Sequence, residues 1–370
     1  MCVNKLCIYI IMYYLIFIVL MLIVILFLKH QTKLNNDETE KFINRTHTRN
    51  MKELSKKPFI WIYIEENINS KNWDDFYSRL KKGNISNYIW LCIYSVYVNC
   101  FKDFNIILLN SDNIYQYLPK LKINMDFNST IDLKKRKQYI SFCLLEKYGG
   151  IYIESNVIVM KNLIDVYNQT DKYDFIGFAC PLKYYKSYEK EITPTMDIMI
   201  SRKNSIVTRL CKIELNKIIN SFNYTSYNFN NYGDCVLQKY LKLSIDNYKL
   251  NFLQLSPDYN GILDNNKKII NTEYLLSKNK IKFLNEEKVH VFIINKNEIT
   301  QNFKYNWFDR FSIEQILKSN LWINYLIKKS IKIKDFTNLK ESDIINNGTI
   351  NLSSMLNNCY YFNHPIWLKV

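Results

Sequence analysis

Glycine and proline are scarce in this chain, with seven and six residues among 370. Asn, Lys, Ile and Tyr are abundant instead, which is typical of an A+T-rich genome, so single Asn and Lys residues carry little weight. The nine cysteines and four histidines show no CxxC or Cys/His spacing that would indicate zinc. No internal repeat is apparent in the sequence. No basic run alternates with aromatic residues, so we expect no nucleic-acid partner.

The charge balance is strongly basic, because 50 Lys and Arg residues outweigh 34 Asp and Glu residues and give a net charge of +16. Such an excess favours contact with phosphates or anionic lipid. The alternative is that lysine has replaced other surface residues under the compositional bias. The length allows one large domain or two ordinary ones.

One segment near the N-terminus is long and apolar. Residues 8–28 carry no charge and would form a helix of about 32 Å, enough to span a bilayer. No small-residue cleavage site follows, so we predict an uncleaved single-pass anchor after a short tail, residues 1–7, with the bilayer as a partner. Basic residues after the span favour a cytosolic domain, whereas seven Asn-x-Ser/Thr sequons suit a luminal one, so the side stays open.

The rest of the chain is predicted to comprise a polar stalk (29–57), a folded domain (58–335) and a C-terminal extension (336–370). Apolar β-rich runs at 59–64 and 104–109 predict strands buried on both faces. Further strands are predicted at 151–154, 157–160, 175–178, 196–200 and 288–294, and helices at 71–81, 88–100, 131–148, 206–219, 235–243 and 313–331. This alternation indicates an α/β fold with a mostly parallel sheet.

The most informative stretch is residues 144–156, which reads as a helix end, a glycine hinge, a buried strand and polar residues. Gly149 and Gly150 allow the backbone to take positive φ and reverse tightly. Alternate residues of a strand face the same side. We therefore predict that Glu154 and Asn156 present oxygen-bearing side chains on one side of the chain.

Residues 145–154, Leu-Glu-Lys-Tyr-Gly-Gly-Ile-Tyr-Ile-Glu, resemble the glycosyltransferases with a DxD sugar-binding motif, especially capsular polysaccharide synthesis proteins. The similarity extends over about residues 57–220. It implies a GT-A fold, which is a Rossmann-related mixed sheet flanked by helices, and a hexosyltransferase type of activity. It also implies a nucleotide-sugar donor, a glycan or polysaccharide acceptor and Mn²⁺ or Mg²⁺ between the motif and the diphosphate. An enzyme of this type with A+T-rich composition suits a viral origin.

The chain departs from that pattern at its polar positions. The family's helix Asp and Arg fall at Gln138 and Ser141, and its two motif Asp residues at Glu154 and Asn156. Arg136 and Lys137 are candidates to replace the missing cation. The resulting donor-binding residues are Arg136, Gln138, Gly149, Gly150, Tyr152, Glu154 and Asn156; the metal ligands are Glu154, Asn156 and His290; the catalytic carboxylates are Asp197 and Asp234.

Simpler roles compete with three of these assignments. His290 alternates on a late strand and suits a structural histidine, Asp234 suits a helix N-cap, and Asp197 suits a solvated carboxylate. Two functions therefore remain open. One is a membrane-anchored glycosyltransferase, and the other is a catalytically degenerate glycosyltransferase-like protein kept for binding or scaffolding.

Overall fold

The computed structural model describes residues 57–64, 85–110, 113–121, 133–179, 194–220 and 232–332. All of them belong to the compact unit that runs from Lys57 to Val370. The predicted tail, the stalk up to residue 56, the helix at 71–81 and the extension at 336–370 lie outside these residues.

The prediction of a single-pass membrane protein is corrected by the structure. Within the ranges just given, no helix combines the length and the apolar character needed to cross a bilayer. The apolar segment 8–28 itself lies outside the described residues. We therefore retain neither the membrane localisation nor the bilayer as a partner.

Strands and helices alternate along the described chain. In chain order the strands are β1 (Phe59–Tyr63), β2 (Asn105–Leu109), β3 (Gly150–Glu154), β4 (Val157–Val159), β5 (Phe175–Ala179), β6 (Pro194–Ser201), β7 (Phe252–Leu255) and β8 (Val291–Ile293). The helices are α1 (Asn87–Cys100), α2 (Ile114–Tyr117), α3 (Leu133–Tyr148), α4 (Ile164–Tyr167), α5 (Ile206–Asn220), α6 (Tyr232–Tyr248), α7 (Thr272–Leu275), α8 (Lys296–Gln301), α9 (Asn306–Asp309), α10 (Ile313–Lys318) and α11 (Trp322–Ser330).

Six strands form one mixed sheet in the order β2-β1-β3-β6-β5-β7, and β4 pairs with β8 in a separate antiparallel ribbon. Strand β6 is antiparallel to both of its neighbours, whereas the other pairs of the central sheet are parallel. The predicted α/β class and mostly parallel sheet are thus confirmed.

Helices cover both faces of the central sheet. The buried residues of α1 share one core with Ile60, Ile62 and Ile64. On the opposite face α3 packs on β1, β3 and β6, α5 packs on α3, and α6 packs on α5 and β6. Because β1 and β2 are buried on both faces, they read as continuous apolar runs rather than as alternating ones.

The glycine hinge connects α3 to β3 as the sequence predicted. Gly149 takes a φ of +71° and donates its N–H to Leu145 O at 2.9 Å, which closes the helix. The indole Nε1 of Trp61 donates to Gly149 O at 2.9 Å and ties the hinge to β1. Gly150 has a φ of +100°, and a Cβ there would lie 2.4 Å from the carbonyl oxygen of Phe59. Both positions therefore require glycine.

The helix predicted at 313–331 is in fact two helices, α10 and α11. Ser319 leaves the helical region with a ψ of 151°. The side-chain amide of Asn324 donates to Leu317 O at 3.0 Å and also to Ser319 O. These contacts satisfy the carbonyls at the end of α10, so the break is stabilised despite the continuous apolar periodicity.

Four cysteines, Cys92, Cys100, Cys143 and Cys211, are buried free thiols, so the predicted core role of Cys92, Cys143 and Cys211 is confirmed. The side chain of Cys235, for which the same role was predicted, lies outside the described part. Burial raises the pKa of the Cys100 and Cys143 thiols to about 12.

We expect these four thiols to resist iodoacetamide at pH 8 in the native protein and to react once urea unfolds it. Burial excludes the reagent, and at a pKa of about 12 the thiolate fraction at Cys100 and Cys143 falls on the order of 1000-fold. Mass spectrometry of the tryptic peptides measures the extent of labelling. Native labelling of Cys143 at the rate found in urea would contradict the burial of α3 against α5.

Candidate functional site

The carboxyl ends of three parallel strands meet at one edge of the central sheet. The register places Leu109 of β2 beside Tyr63 of β1, and Tyr63 beside Glu154 of β3. Strand β2 lies on one side of β1 and β3 lies on the other. The connection from β1 to β2 and the connection from β2 to β3 therefore run in opposite directions across the sheet. Open α/β sheets bind ligands at such a switch point, outside the carboxyl ends of the strands.

Strand β6 brings a second carboxylate to Glu154. The antiparallel ladder ends with the pair Ile153–Ile198, and continuing its register by one residue would set Asp197 opposite Glu154. Directly opposite residues share a face, with Cβ atoms about 5 Å apart. Thr195 Oγ1 donates to Asp197 Oδ2 at 2.6 Å and holds this carboxylate. Extending the register in this way brings two of the residues predicted from the sequence to the same edge of the sheet.

Glu154 itself is held in an ion pair that is largely shielded from solvent. Its Oε2 lies 2.6 Å from Lys137 Nζ, and the two side chains are only 11% and 12% exposed. The hydroxyl of Tyr152, two residues earlier on the same face, donates to Oε1 at 3.2 Å. Burial at this level reduces solvent screening, so the pair interacts more strongly than one on the surface.

The turn of α3 that supplies Lys137 is buried rather than solvated. Lys135, Arg136 and Gln138 are each less than 10% exposed. Gln138 Oε1 has no hydrogen-bond partner within the described part of the chain, whereas its carbonyl accepts from Ser141 Oγ at 2.7 Å. Arg136 and Gln138, both predicted to bind the donor, thus flank the lysine that contacts Glu154.

Asn156 does not share a face with Glu154, which corrects the prediction. Strand β3 ends at Glu154, and the chain turns through Ser155 into β4. Asn156 Nδ2 donates to Ile294 O at 2.5 Å, and Ile294 N donates to Asn156 O at 3.1 Å. The period-two alternation stops because the chain leaves the central sheet to pair with β8, so the amide is committed to a structural contact.

His290 lies at the other end of the β4–β8 ribbon. Its carbonyl accepts from Met160 N at 2.8 Å, whereas Asn156 is bonded to Ile294, four residues away or about 13 Å along a strand. Its Nδ1 lies 2.8 Å from Lys288 O, and its ring stacks on Tyr259 with centroids 5.3 Å apart. The structure does not bring His290 to Glu154, and these contacts suit the alternative role of a structural histidine.

Three further predicted residues either lie away from Glu154 or have a side chain that the structure does not describe. Gly149 and Gly150 stand at the amino end of β3, again about 13 Å along the strand from Glu154, so their role here is to build the hinge. Asp234 is the third residue of α6, inside its first turn and not at the N-cap. The side chain of Asp234 lies outside the described part of the structure.

The residues present do not fit the divalent metal that the resemblance implies. Over the described ranges, no group of three or more His, Cys, Asp and Glu side chains is arranged to hold a metal ion. Glu154 already pairs with a lysine, and the amide nitrogen of Asn156 donates to a carbonyl. A cation on Glu154 and Asp197 would have to displace the ammonium of Lys137, so we derive no chemistry through a metal.

An asparagine pair that was not predicted from the sequence lies at the end of β2. Asn110 N donates to Asn113 Oδ1 at 2.9 Å, and Asn113 N donates to Asn110 Oδ1 at 3.0 Å. Asn113 Nδ2 also donates to Leu108 O at 2.8 Å. The signal was present, because two asparagines three residues apart after a buried strand favour such reciprocal side-chain caps. The pair fixes the chain where it leaves the same sheet edge.

Comparison with known proteins leaves the family unassigned, since no family model and no curated protein matches the chain. The similar solved structures include the PaToxG glycosyltransferase, at 15% identity and a TM-score of 0.28 over 58% of this chain and 80% of that one. The glycosyltransferase GlyE of Streptococcus pneumoniae TIGR4 is 14% identical, with a TM-score of 0.32, over 55% of this chain and 46% of that one. The galactosyltransferase LgtC, solved with donor and acceptor sugar analogues, is 10% identical, with a TM-score of 0.35, over 77% of this chain and 98% of that one. These neighbours are glycosyltransferases, but scores below 0.5 assign no residue roles.

Proposed function

We propose that the domain is a glycosyltransferase that binds a nucleotide-sugar donor at the carboxyl edge of β1 and β3. The observation that carries this proposal is the position of Glu154, at the switch point of the sheet and beside Lys137 and Asp197. Nucleotides bind α/β sheets at this place. The resemblance of residues 145–154 adds a glycan or polysaccharide as the acceptor.

The bonds that break and form in this reaction belong to the donor and the acceptor, and the protein positions the two. The bond between the anomeric carbon and a diphosphate oxygen breaks, and a bond from that carbon to an acceptor hydroxyl oxygen forms. Negative charge develops on the leaving diphosphate, and the acceptor loses a proton. Lys137 and Arg136 supply positive charge for the diphosphate, Gln138 supplies an amide for the donor, and Asp197 is the carboxylate available to take the proton.

A second candidate is favoured by the same contacts. Glu154 and Asn156, which the resemblance would assign to the donor and its metal, are both engaged inside the protein. Such internal pairing suits a glycosyltransferase-like protein that has lost turnover and retains binding or scaffolding. The two candidates differ in turnover, so they can be separated by measuring nucleotide release together with binding.

We expect one nucleotide sugar from a panel of UDP-, GDP- and CDP-sugars to raise the melting temperature of the full chain by several degrees. A ligand at 100 times its Kd adds about 2.7 kcal/mol to stability when it binds only the folded state. The same donor should release free nucleotide in the presence of a suitable acceptor. Asp197→Asn should retain the thermal shift and lose release by at least about 100-fold, in the range expected for a missing general base.

Asp246→Asn, on the exposed side of α6, is the matched control and should change neither the thermal shift nor the release of nucleotide. Binding without release from any acceptor in a broad set would favour the second candidate. A flat melting temperature across the whole panel would contradict the first candidate and leave the second only as a scaffolding protein.

A further inference from the structure

We propose that Lys137 takes the place of the divalent metal, so that its ammonium group, held by Glu154, contacts the donor diphosphate and makes nucleotide binding independent of metal. This inference rests on the proposed function. It starts from the 2.6 Å contact between Lys137 Nζ and Glu154 Oε2 at the switch point of the sheet.

Charge matching supports this substitution. A divalent cation needs about two carboxylates to be neutralised, whereas one ammonium needs one. The position two residues after Glu154 is Asn156, which brings no charge and is bonded to Ile294. The other nearby carboxylate, Asp197, has its Oδ2 bonded to Thr195. One carboxylate and one lysine therefore form a neutral unit here, as a metal and two carboxylates would elsewhere.

The geometry suits a bridging cation. An ammonium group has three N–H donors in different directions, so it can bind a carboxylate and phosphate oxygens at the same time. Glu154 is fixed in turn by the Tyr152 hydroxyl at 3.2 Å, which holds the lysine in place before a ligand arrives. Since Lys137 is only 12% exposed, its attraction for a phosphate is weakly screened. Buried Arg136, the preceding residue, adds a second cation to this turn.

The test is titration of the full chain with UDP, GDP, CDP and ADP by calorimetry, in EDTA and again in Mn²⁺. We expect the nucleotide that binds to do so in EDTA with a Kd within about twofold of that in Mn²⁺. Lys137→Met removes the ammonium at nearly constant length and should raise that Kd by at least about 30-fold, or about 2 kcal/mol. Lys137→Arg keeps a cation and should raise the Kd less than Lys137→Met does.

A second lysine–glutamate pair, which joins α5 to α3, provides the control. Lys212 contacts Glu146 near the other end of α3, so Lys212→Met should leave the Kd unchanged. Binding that needs Mn²⁺ and disappears in EDTA would overturn the inference and leave the proposed function standing. Failure of every nucleotide under both conditions would instead contradict the proposed function. If Lys137→Met does not fold, the EDTA result on the unaltered chain and Lys137→Arg still decide the question.

Discussion

Replacing Gly150 with alanine is expected to lower the free energy of unfolding by about 4 kcal/mol or more, a large part of the roughly 5–15 kcal/mol that stabilises a typical domain. The backbone φ of +100° disfavours any side chain, by about 1–3 kcal/mol. The larger part comes from the Cβ, which would lie 2.4 Å from the carbonyl oxygen of Phe59. Because that oxygen belongs to β1, relief requires the β1–β3 pairing to shift.

Urea denaturation followed by tryptophan fluorescence measures the change. Gly261→Ala separates the two causes, since Gly261 also has a positive φ, of +61°, but its added Cβ would meet only side chains, at 3.0 Å and beyond. We expect it to lower stability by about 1–2 kcal/mol, less than Gly150→Ala. A Gly150→Ala protein within 1 kcal/mol of the unaltered chain would contradict the register of β1 and β3.

Restoring the second aspartate of the motif, by Asn156→Asp, is expected to damage the protein and confer no dependence on metal. The Asn156 amide donates to Ile294 O at 2.5 Å, and the residue is only 8% exposed. A carboxylate there would face a carbonyl oxygen with no proton to share. Losing a buried donor and adding a buried charge should lower the free energy of unfolding by about 3 kcal/mol.

The effect of Asn156→Asp should also depend on pH. Burial beside a carbonyl raises the pKa of the new carboxyl group in the folded state above its unfolded value. The loss of stability therefore appears as pH rises through that folded pKa and is smaller at pH 5 than at pH 8, where the group must be charged. Denaturation curves at the two pH values give the comparison.

Asn271→Asp makes the same substitution at a harmless position. Asn271 Oδ1 accepts from Tyr274 N at the start of α7, and aspartate caps a helix equally well. We expect a change below about 0.5 kcal/mol. An Asn156→Asp protein as stable as this control, with Mn²⁺ now strengthening nucleotide binding, would show that Asn156 belongs to a ligand site after all.

The sequence was most informative where burial was complete. Strands β1 and β2 are buried at every position, so their β-rich apolar runs located them to within one residue. Strand β7 was missed because it is a four-residue edge strand with three partly exposed residues, too short for a pattern. The break at Ser319 was missed because its stabilising contacts come from Asn324, whose donor role no periodicity reveals.

The site was predictable only in part, for a related reason. Local rules placed Glu154 at the end of a strand after a glycine hinge, and the structure agrees. The same rules placed Asn156 on that face, but its partner Ile294 lies 138 residues further along the chain. The pairing of Lys137 with Glu154 depends likewise on how α3 lies across the sheet, which is a property of packing and not of spacing.

The β4–β8 ribbon has a consequence for synthesis on the ribosome. Residues 157–159 are made early, but the strand that pairs with them, Val291–Ile293, emerges only after more than 130 further residues. Val159 N donates to Ser95 Oγ, which is made earlier, but until β8 emerges the β4 groups that pair with it have no mate, and closing so long a loop is slow. Nascent chains stalled before residue 290 therefore expose an unfinished strand edge and should depend on chaperones.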